Sequence, residues 1–262
     1  MKQRFVLQTQ FLGSSFCGSQ SQANGRAVQD ELERALKVYF RQNIRVVLGS
    51  RVDSGVHARA MIGHFDLNLS EIPQFDFNEI LLLRNLNGIL SKDVSITRLS
   101  KIHQEFHSIK DATSRSYIYK LRAGTSRKPL DEKQVTFVYN SKPLNIKTLQ
   151  NCAEILIGEK DFSGLANFKK GYVNPICKVF ECSWKLGEED PELYVFYIKA
   201  DHFLYNMIRI IVGTQIAIGN GKLSVCSLEK ALRFKDRSLS GPTASASGLC
   251  LKEINYPFSL FT

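Results

Sequence analysis

Two stretches of helical periodicity set between strand-like runs, in the order β-α-β-β-α-β and then in that order again, constrain this chain more than any other feature. Phe5–Leu12 alternates as a strand and runs into a turn-rich segment, Gly13–Gly25. Val28, Leu32, Ala35, Leu36 and Tyr39 then recur at three and four residues, the spacing of one helix face. Ile44–Leu48 is β-branched, and Ala60–Leu69 is a further strand candidate. Phe77–Leu90 reads as a helix with Asp76 as its N-cap, and Val94–Leu99 closes the unit as a strand.

The second half follows the same order. Thr113–Arg122 alternates, with Tyr117, Tyr119 and Leu121 on one face, and bridges the halves. Val135–Tyr139 is a strand and Ile146–Ile157 a helix carrying Leu149, Ala153, Leu156 and Ile157. Cys177–Leu186 and Leu193–Ala200 are strands around the polar turn Gly187–Pro191; Phe203–Ile218 is a long helix and Leu249–Ile254 a last strand. This is the split βαβ, ferredoxin-like pattern. It predicts an α+β chain of two RRM-like β-α-β-β-α-β units with antiparallel sheets, one domain over residues 1–110 and a second over 111–262.

The 35 Lys and Arg residues against 25 Asp and Glu leave a formal charge of +10, which favours a polyanionic partner, nucleic acid or an anionic membrane surface. The membrane reading fails on length. The apolar stretches Ile80–Leu83 and Met207–Ile218 are broken by Arg84 and Arg209, short of the roughly 20 apolar residues a span needs. The N-terminus lacks an apolar targeting core, so the expected location is cytoplasmic. Six cysteines form no CxxC pair and read as core residues or inert thiols. Between Arg98 and Lys128, eight basic residues (Arg98, Lys101, Lys110, Arg115, Lys120, Arg122, Arg127 and Lys128) face only Glu105 and Asp111. Lys169 and Lys170 form a second knot. Both suit a nucleic-acid backbone.

Several chemistries drop out. Gly13-Ser-Ser-Phe-Cys-Gly18 has phosphate-loop glycine spacing, but Ser19-Gln20 stand where Lys-Ser/Thr is required. No GxGxxG follows a strand and no GxSxG occurs, which argues against a dinucleotide cofactor and a hydrolase elbow. Asp53, His57 and His64 match no metal-ligand spacing; His57 is expected to pack or hydrogen-bond within its loop.

The informative loop is Leu48-Gly-Ser-Arg-Val-Asp-Ser-Gly-Val-His-Ala58, between two strand candidates. Arg51 precedes Asp53 by two, so both side chains project to the same side of an extended loop. A guanidinium there holds Asp53 ionised, available as nucleophile or base. An Asx-turn with an ordinary surface salt bridge is the competing account.

Arg51-Val-Asp-Ser-Gly-Val-His-Ala58 resembles the R-T-D-x-G-V-H-A signature of TruA-type tRNA pseudouridine synthases. Other segments resemble that family in order along the chain: Gly18-x-Gln20 with Val28-Gln29-x-x-Leu32-Glu33-x-Ala35-Leu36; Phe106-His107; Ala112-Thr-Ser-Arg-x-Tyr117-x-Tyr119; Gly158-x-x-Asp161-Phe162; Phe203-Leu204-x-x-Met207-Ile-Arg209-x-Ile211-Val-Gly213; and Gly241-Pro-Thr-Ala244 with Gly248-Leu249. The chain departs from the pattern at Val52 (usually Thr), Ser54 (commonly Ala), Ser19 (usually aromatic) and Ser116 (frequently basic).

The resemblance implies isomerisation of uridine to pseudouridine at positions 38, 39 and 40 of the tRNA anticodon stem-loop, with the base flipped out. It implies two domains joined around a central catalytic cleft, no metal or cofactor, and a homodimer. Asp53 maps to the catalytic aspartate and Tyr117 to the tyrosine stacking on the target base. Arg51 and Arg209 map to residues beside the aspartate with salt-bridge or phosphate roles. Two rival classes are a non-catalytic RNA-binding protein with two RRM-like sheets and a nucleoside or glycoside hydrolase. The first lacks its RNP aromatics and the second a partner carboxylate.

Overall fold

The computed structural model describes residues 2–23, 25–72, 74–167 and 174–261, with an α+β architecture. The chain divides into two compact units, Met1–Thr113 with Leu251–Thr262, and Ser114–Cys250. This differs from a division into 1–110 and 111–262 because the C-terminal segment returns to the first unit. There the Tyr256 hydroxyl donates to the Ser108 carbonyl at 2.6 Å, and the rings of Tyr256 and Phe258 pack on Phe106.

In the first unit, β1 (Lys2–Phe11) lies between β4 (Val94–Ile102) and β3 (His57–Asn68), antiparallel to both. Phe5, Val6 and Leu7 are buried in succession because both faces of this central strand are covered. Phe5 and Phe65, paired across β1 and β3, stack with centroids 5.4 Å apart. The short β2 (Val47–Leu48) pairs with β3, as does β10 (Leu249–Asn255) in the sheet order. The expected strand from Ile44 shrinks to two residues; Ile44 and Val46 bury their side chains without joining the ladder.

Helix α1 (Val28–Phe40) buries Val28, Leu32, Ala35 and Leu36, the predicted face. Its N-cap position, Ala27, offers no side-chain acceptor. Instead the amides of Val28 and Gln29 donate to the Gly18 and Ser19 carbonyls at 3.3 and 3.0 Å, which satisfies first-turn donors and ties the preceding loop to the helix. Helix α2 (Glu79–Ile89) starts two residues later than predicted. Its cap is Asn78, whose side chain accepts the Leu81 amide at 3.0 Å, and not Asp76.

The second unit has sheet order β5-β9-β8-β7, from β5 (Ser114–Gly124), β9 (Leu193–Ala200), β8 (Ile176–Leu186) and β7 (Gly158–Asp161), with antiparallel neighbours. One ladder departs from the antiparallel expectation: β6 (Thr136–Tyr139) runs parallel to β5. The intervening connection, with its short 3₁₀ turn Pro129–Asp131, carries the chain back before β6 begins. Helix α3 (Ile146–Leu156) packs Leu149, Cys152, Ala153 and Leu156 inward.

Helix α4 (Met207–Gly219) is buried almost all round, from Met207 to Ile218, which accounts for its uniform apolarity. It begins four residues after the predicted Phe203 because Asn206 adopts a left-handed conformation, φ 59°. Helix α5 (Val225–Phe234) and strand β7 lie outside the predicted elements. Trp184 on β8 packs on Phe196 of β9 at 5.0 Å, and its indole donates to Gln215 of α4.

Candidate active site

The Asp53 loop joins β2 to β3 and is clasped by the loop that follows β1. The Gly55 amide and the Ser54 hydroxyl both donate to the Phe16 carbonyl, at 3.4 and 3.3 Å. The Ser19 amide donates to the Val52 carbonyl at 3.2 Å, and the Val52 amide returns a bond to the Ser19 hydroxyl at 3.0 Å. The Gly13 amide donates to Nδ1 of the buried His57 at 3.1 Å. That bond makes Nδ1 the acceptor and leaves the proton of the neutral ring on Nε2. His57 is buried as expected, but its bond runs to the loop after β1 and not within its own loop, so it fixes the two loops together.

The two loops pack so closely that a Cβ on Gly13 would lie 2.0 Å from the Val56 carbonyl oxygen. The glycine spacing that failed as a phosphate loop has this steric purpose instead.

Within the clasped loop, exposure alternates as the two-residue period requires: Arg51 is exposed, Val52 buried and Asp53 half-buried. The Val56 amide donates to the Asp53 carbonyl at 3.1 Å, closing a turn around Gly55 with φ 82°. The Asp53 side chain is thus presented from a backbone held on both sides. Val52 is buried, and at that position the backbone carries the loop bonds.

In the second unit, Tyr117 lies on β5 opposite Ile198 and is buried, its ring edge-on to Phe203 at 5.3 Å. Arg209 projects from the first turn of α4. Its Nε donates to the Ala244 carbonyl at 2.8 Å and its Nη1 to the Asn206 side chain at 2.9 Å, while the Ala244 amide donates back to the Arg209 carbonyl at 3.0 Å. The Thr214 hydroxyl accepts the Gly241 amide at 2.8 Å, and a Cβ on Gly213 would meet the Pro242 carbonyl oxygen at 1.8 Å. Two separated sequence motifs, Met207–Gly213 and Gly241–Ala244, are one structural unit: a backbone strap seated on α4. Sequence reasoning named Arg209 but not this strap. Glycines on both segments, Gly213 facing Pro242 and Gly241 facing Thr214, mark the close approach.

The basic run from Arg98 to Lys128 is less available than its density suggested. Arg122 is buried, with ion pairs of 2.7 Å to both Asp131 and Asp190; Lys128 also meets Asp190 at 2.7 Å and Arg127 meets Glu132 at 3.5 Å. Hydrogen bonds from Lys128 and Arg122 hold the Asp190 carboxyl down at about 2. Arg115 donates to the Asp201 carbonyl, and Arg98 and Lys101 lie over the Phe261 and Phe77 rings. Lys169 and Lys170 lie outside the described residues.

Other reactive side chains are quiet. Cys177 Sγ lies 3.5 Å from His202 Nε2, and His202 Nδ1 lies 3.1 Å from Asp201, a connectivity suggestive of a nucleophile and base. Cys177 is fully buried, however, and burial pushes its thiol up to about 12, so it supplies no thiolate near neutral pH. Burial likewise raises Cys152 and Cys182. Among the described residues no group of three or more His, Cys, Asp or Glu side chains is placed to hold a metal ion, and no helix is long and apolar enough to cross a membrane.

A family model described as "tRNA pseudouridine synthase" matches residues 152–257, a segment containing the Arg209 helix and its strap. Full-length likeness extends to the Asp53 loop. The chain is 31% identical over 260 residues to "tRNA pseudouridine synthase A" of Bacteroides thetaiotaomicron, covering 99% of this chain and 93% of the relative. It is 32% identical over 259 residues to the protein of that name from Bacteroides fragilis, covering 99% and 98%. It is 32% identical over 254 residues to the one from Paraburkholderia phytofirmans, covering 97% and 90%. With identity at this level running through both units, the chain belongs to the tRNA pseudouridine synthase family.

Proposed function

We propose that this protein isomerises uridine to pseudouridine at positions 38, 39 and 40 of the tRNA anticodon stem-loop, with Asp53 as the catalytic group. The observation that carries the reading is the half-buried Asp53 carboxylate on a loop pinned at Phe16, Ser19 and Gly13, inside a segment matching the family signature. Fixed geometry of that kind is what a group acting at C1′ of a flipped nucleotide needs. The N1–C1′ bond breaks, the uracil turns over, and C5 bonds to C1′. C5 loses its proton and N1 gains one, so atoms and electrons balance without an oxidant, reductant or nucleotide.

In this reading the first RRM-like domain supplies Asp53 and Arg51, and the second supplies Tyr117, to stack on the target base, and Arg209. The strand order β4-β1-β3, with β2 on β3, supports a ferredoxin-like first unit. Arg209 acts chiefly by holding the strap, since two of its donor groups already bond within the chain. A cytoplasmic homodimer working on tRNA completes the proposal.

The test is tritium release from 5-³H-uridine-labelled tRNA by the purified chain with chelator and no added cofactor, followed by position mapping. Pseudouridine at 38, 39 and 40 is expected. Release of free uracil would identify a hydrolase, and absence of turnover on every tRNA offered would defeat the proposal.

A further inference from the structure

We infer that Ser19 is a positioning residue for Asp53, an inference that rests on the catalytic reading of Asp53 above. Ser19 is 1% exposed and sits where α1 meets the Asp53 loop. On one side its carbonyl accepts the Gln29 amide at 3.0 Å, which anchors it to the first turn of α1. On the other side its hydroxyl accepts the Val52 amide at 3.0 Å and donates to the Ser50 carbonyl at 3.4 Å. Its own amide donates to the Val52 carbonyl. One buried side chain therefore bonds the backbone on the N-terminal approach to Asp53 at two points, and it is itself fixed to a helix.

The geometry is specific to a short hydroxyl side chain. The Ser19 oxygen is both donor and acceptor, which is what bridging an amide at 52 and a carbonyl at 50 requires. A side chain without an oxygen one bond beyond Cβ cannot make both bonds. The Ser19 hydroxyl thus sets where the loop backbone stands, and a displacement of about 1 Å at a reacting group lowers rate by on the order of a hundredfold.

The experiment measures kcat and KM on tRNA, thermal melting, and backbone amide exchange over residues 49–56, for Ser19→Ala, Ser19→Thr and Ser19→Cys, with Asp53→Asn in the same assay. Ser19→Ala is expected to lower kcat by tenfold or more, leave KM within about twofold, and speed exchange over 49–56 by about tenfold. Ser19→Thr keeps the hydroxyl and is expected to restore kcat to within about threefold. Ser19→Cys, close to serine in size, keeps the packing while weakening the acceptor, so it reports on the bond even where another variant fails to fold. A kcat within twofold of the parent for folded Ser19→Ala or Ser19→Cys, with Asp53→Asn inactive, overturns the Ser19 assignment alone. Near-normal turnover by Asp53→Asn overturns the reading beneath it.

Discussion

Gly13 and His57 are joined across two loops by a single backbone donor: the Gly13 amide bonds His57 Nδ1 at 3.1 Å, and Gly13 has no room for a side chain against Val56. The base of the Asp53 loop is therefore defined by a close approach. Gly13→Ala is expected to push the loops apart and lower unfolding free energy by about 1–3 kcal/mol, the usual range for overpacking. Chemical denaturation measures it. Unchanged stability would show that the two loops yield without loss.

Arg209 tests the strap on α4. Arg209→Lys preserves the charge but not the fork that reaches the Ala244 carbonyl and the Asn206 side chain together. A stability loss of about 1–2 kcal/mol is expected, with tRNA affinity changed by less than a factor of about three. If lysine instead retains full stability, the strap is held by other contacts.

His64 links stability to pH. It is buried in the first unit, where its Nδ1 lies 2.9 Å from the Ser108 hydroxyl and its ring meets Phe106 and His107. Burial, Arg4 and His107 push its pKa from the ordinary 6.5 down to about 4, outweighing the opposing pull of Asp66 and Asp111. Between those values the unfolded chain binds more protons, so this contribution to stability is intact above about pH 6.5 and is lost as pH falls toward 4, by up to about 3 kcal/mol. His64→Gln should flatten that slope in a pH series of denaturation curves. An unaltered slope would assign it to other groups.

The elements legible in the sequence were those with an apolar period. Strands β1 and β9 and helices α1 and α3 stand close to where alternation or helical spacing put them, because each buries a single continuous face or core strip. Strand β7, Gly-Glu-Lys-Asp, has no apolar period and exists through pairing with β8. The Asp53 loop was legible from its signature. Its clasp was not, since the Ser19–Val52 bonds, one between backbones and one to the Ser19 hydroxyl, join segments distant in sequence. The density of basic residues predicts Arg122 on a nucleic-acid surface. Arg122 is buried because Asp131 and Asp190 converge on it only in the folded chain.

The central claim is tested most directly by single-turnover kinetics of Asp53→Asn on anticodon stem-loop RNA, alongside its melting temperature and RNA affinity. The substitution keeps volume and polarity but removes the carboxylate. Turnover is expected to fall by at least about a thousandfold, or about 4 kcal/mol of transition-state stabilisation, with melting and binding nearly unchanged. A rate within a few fold of the parent would contradict the assignment of catalysis to Asp53.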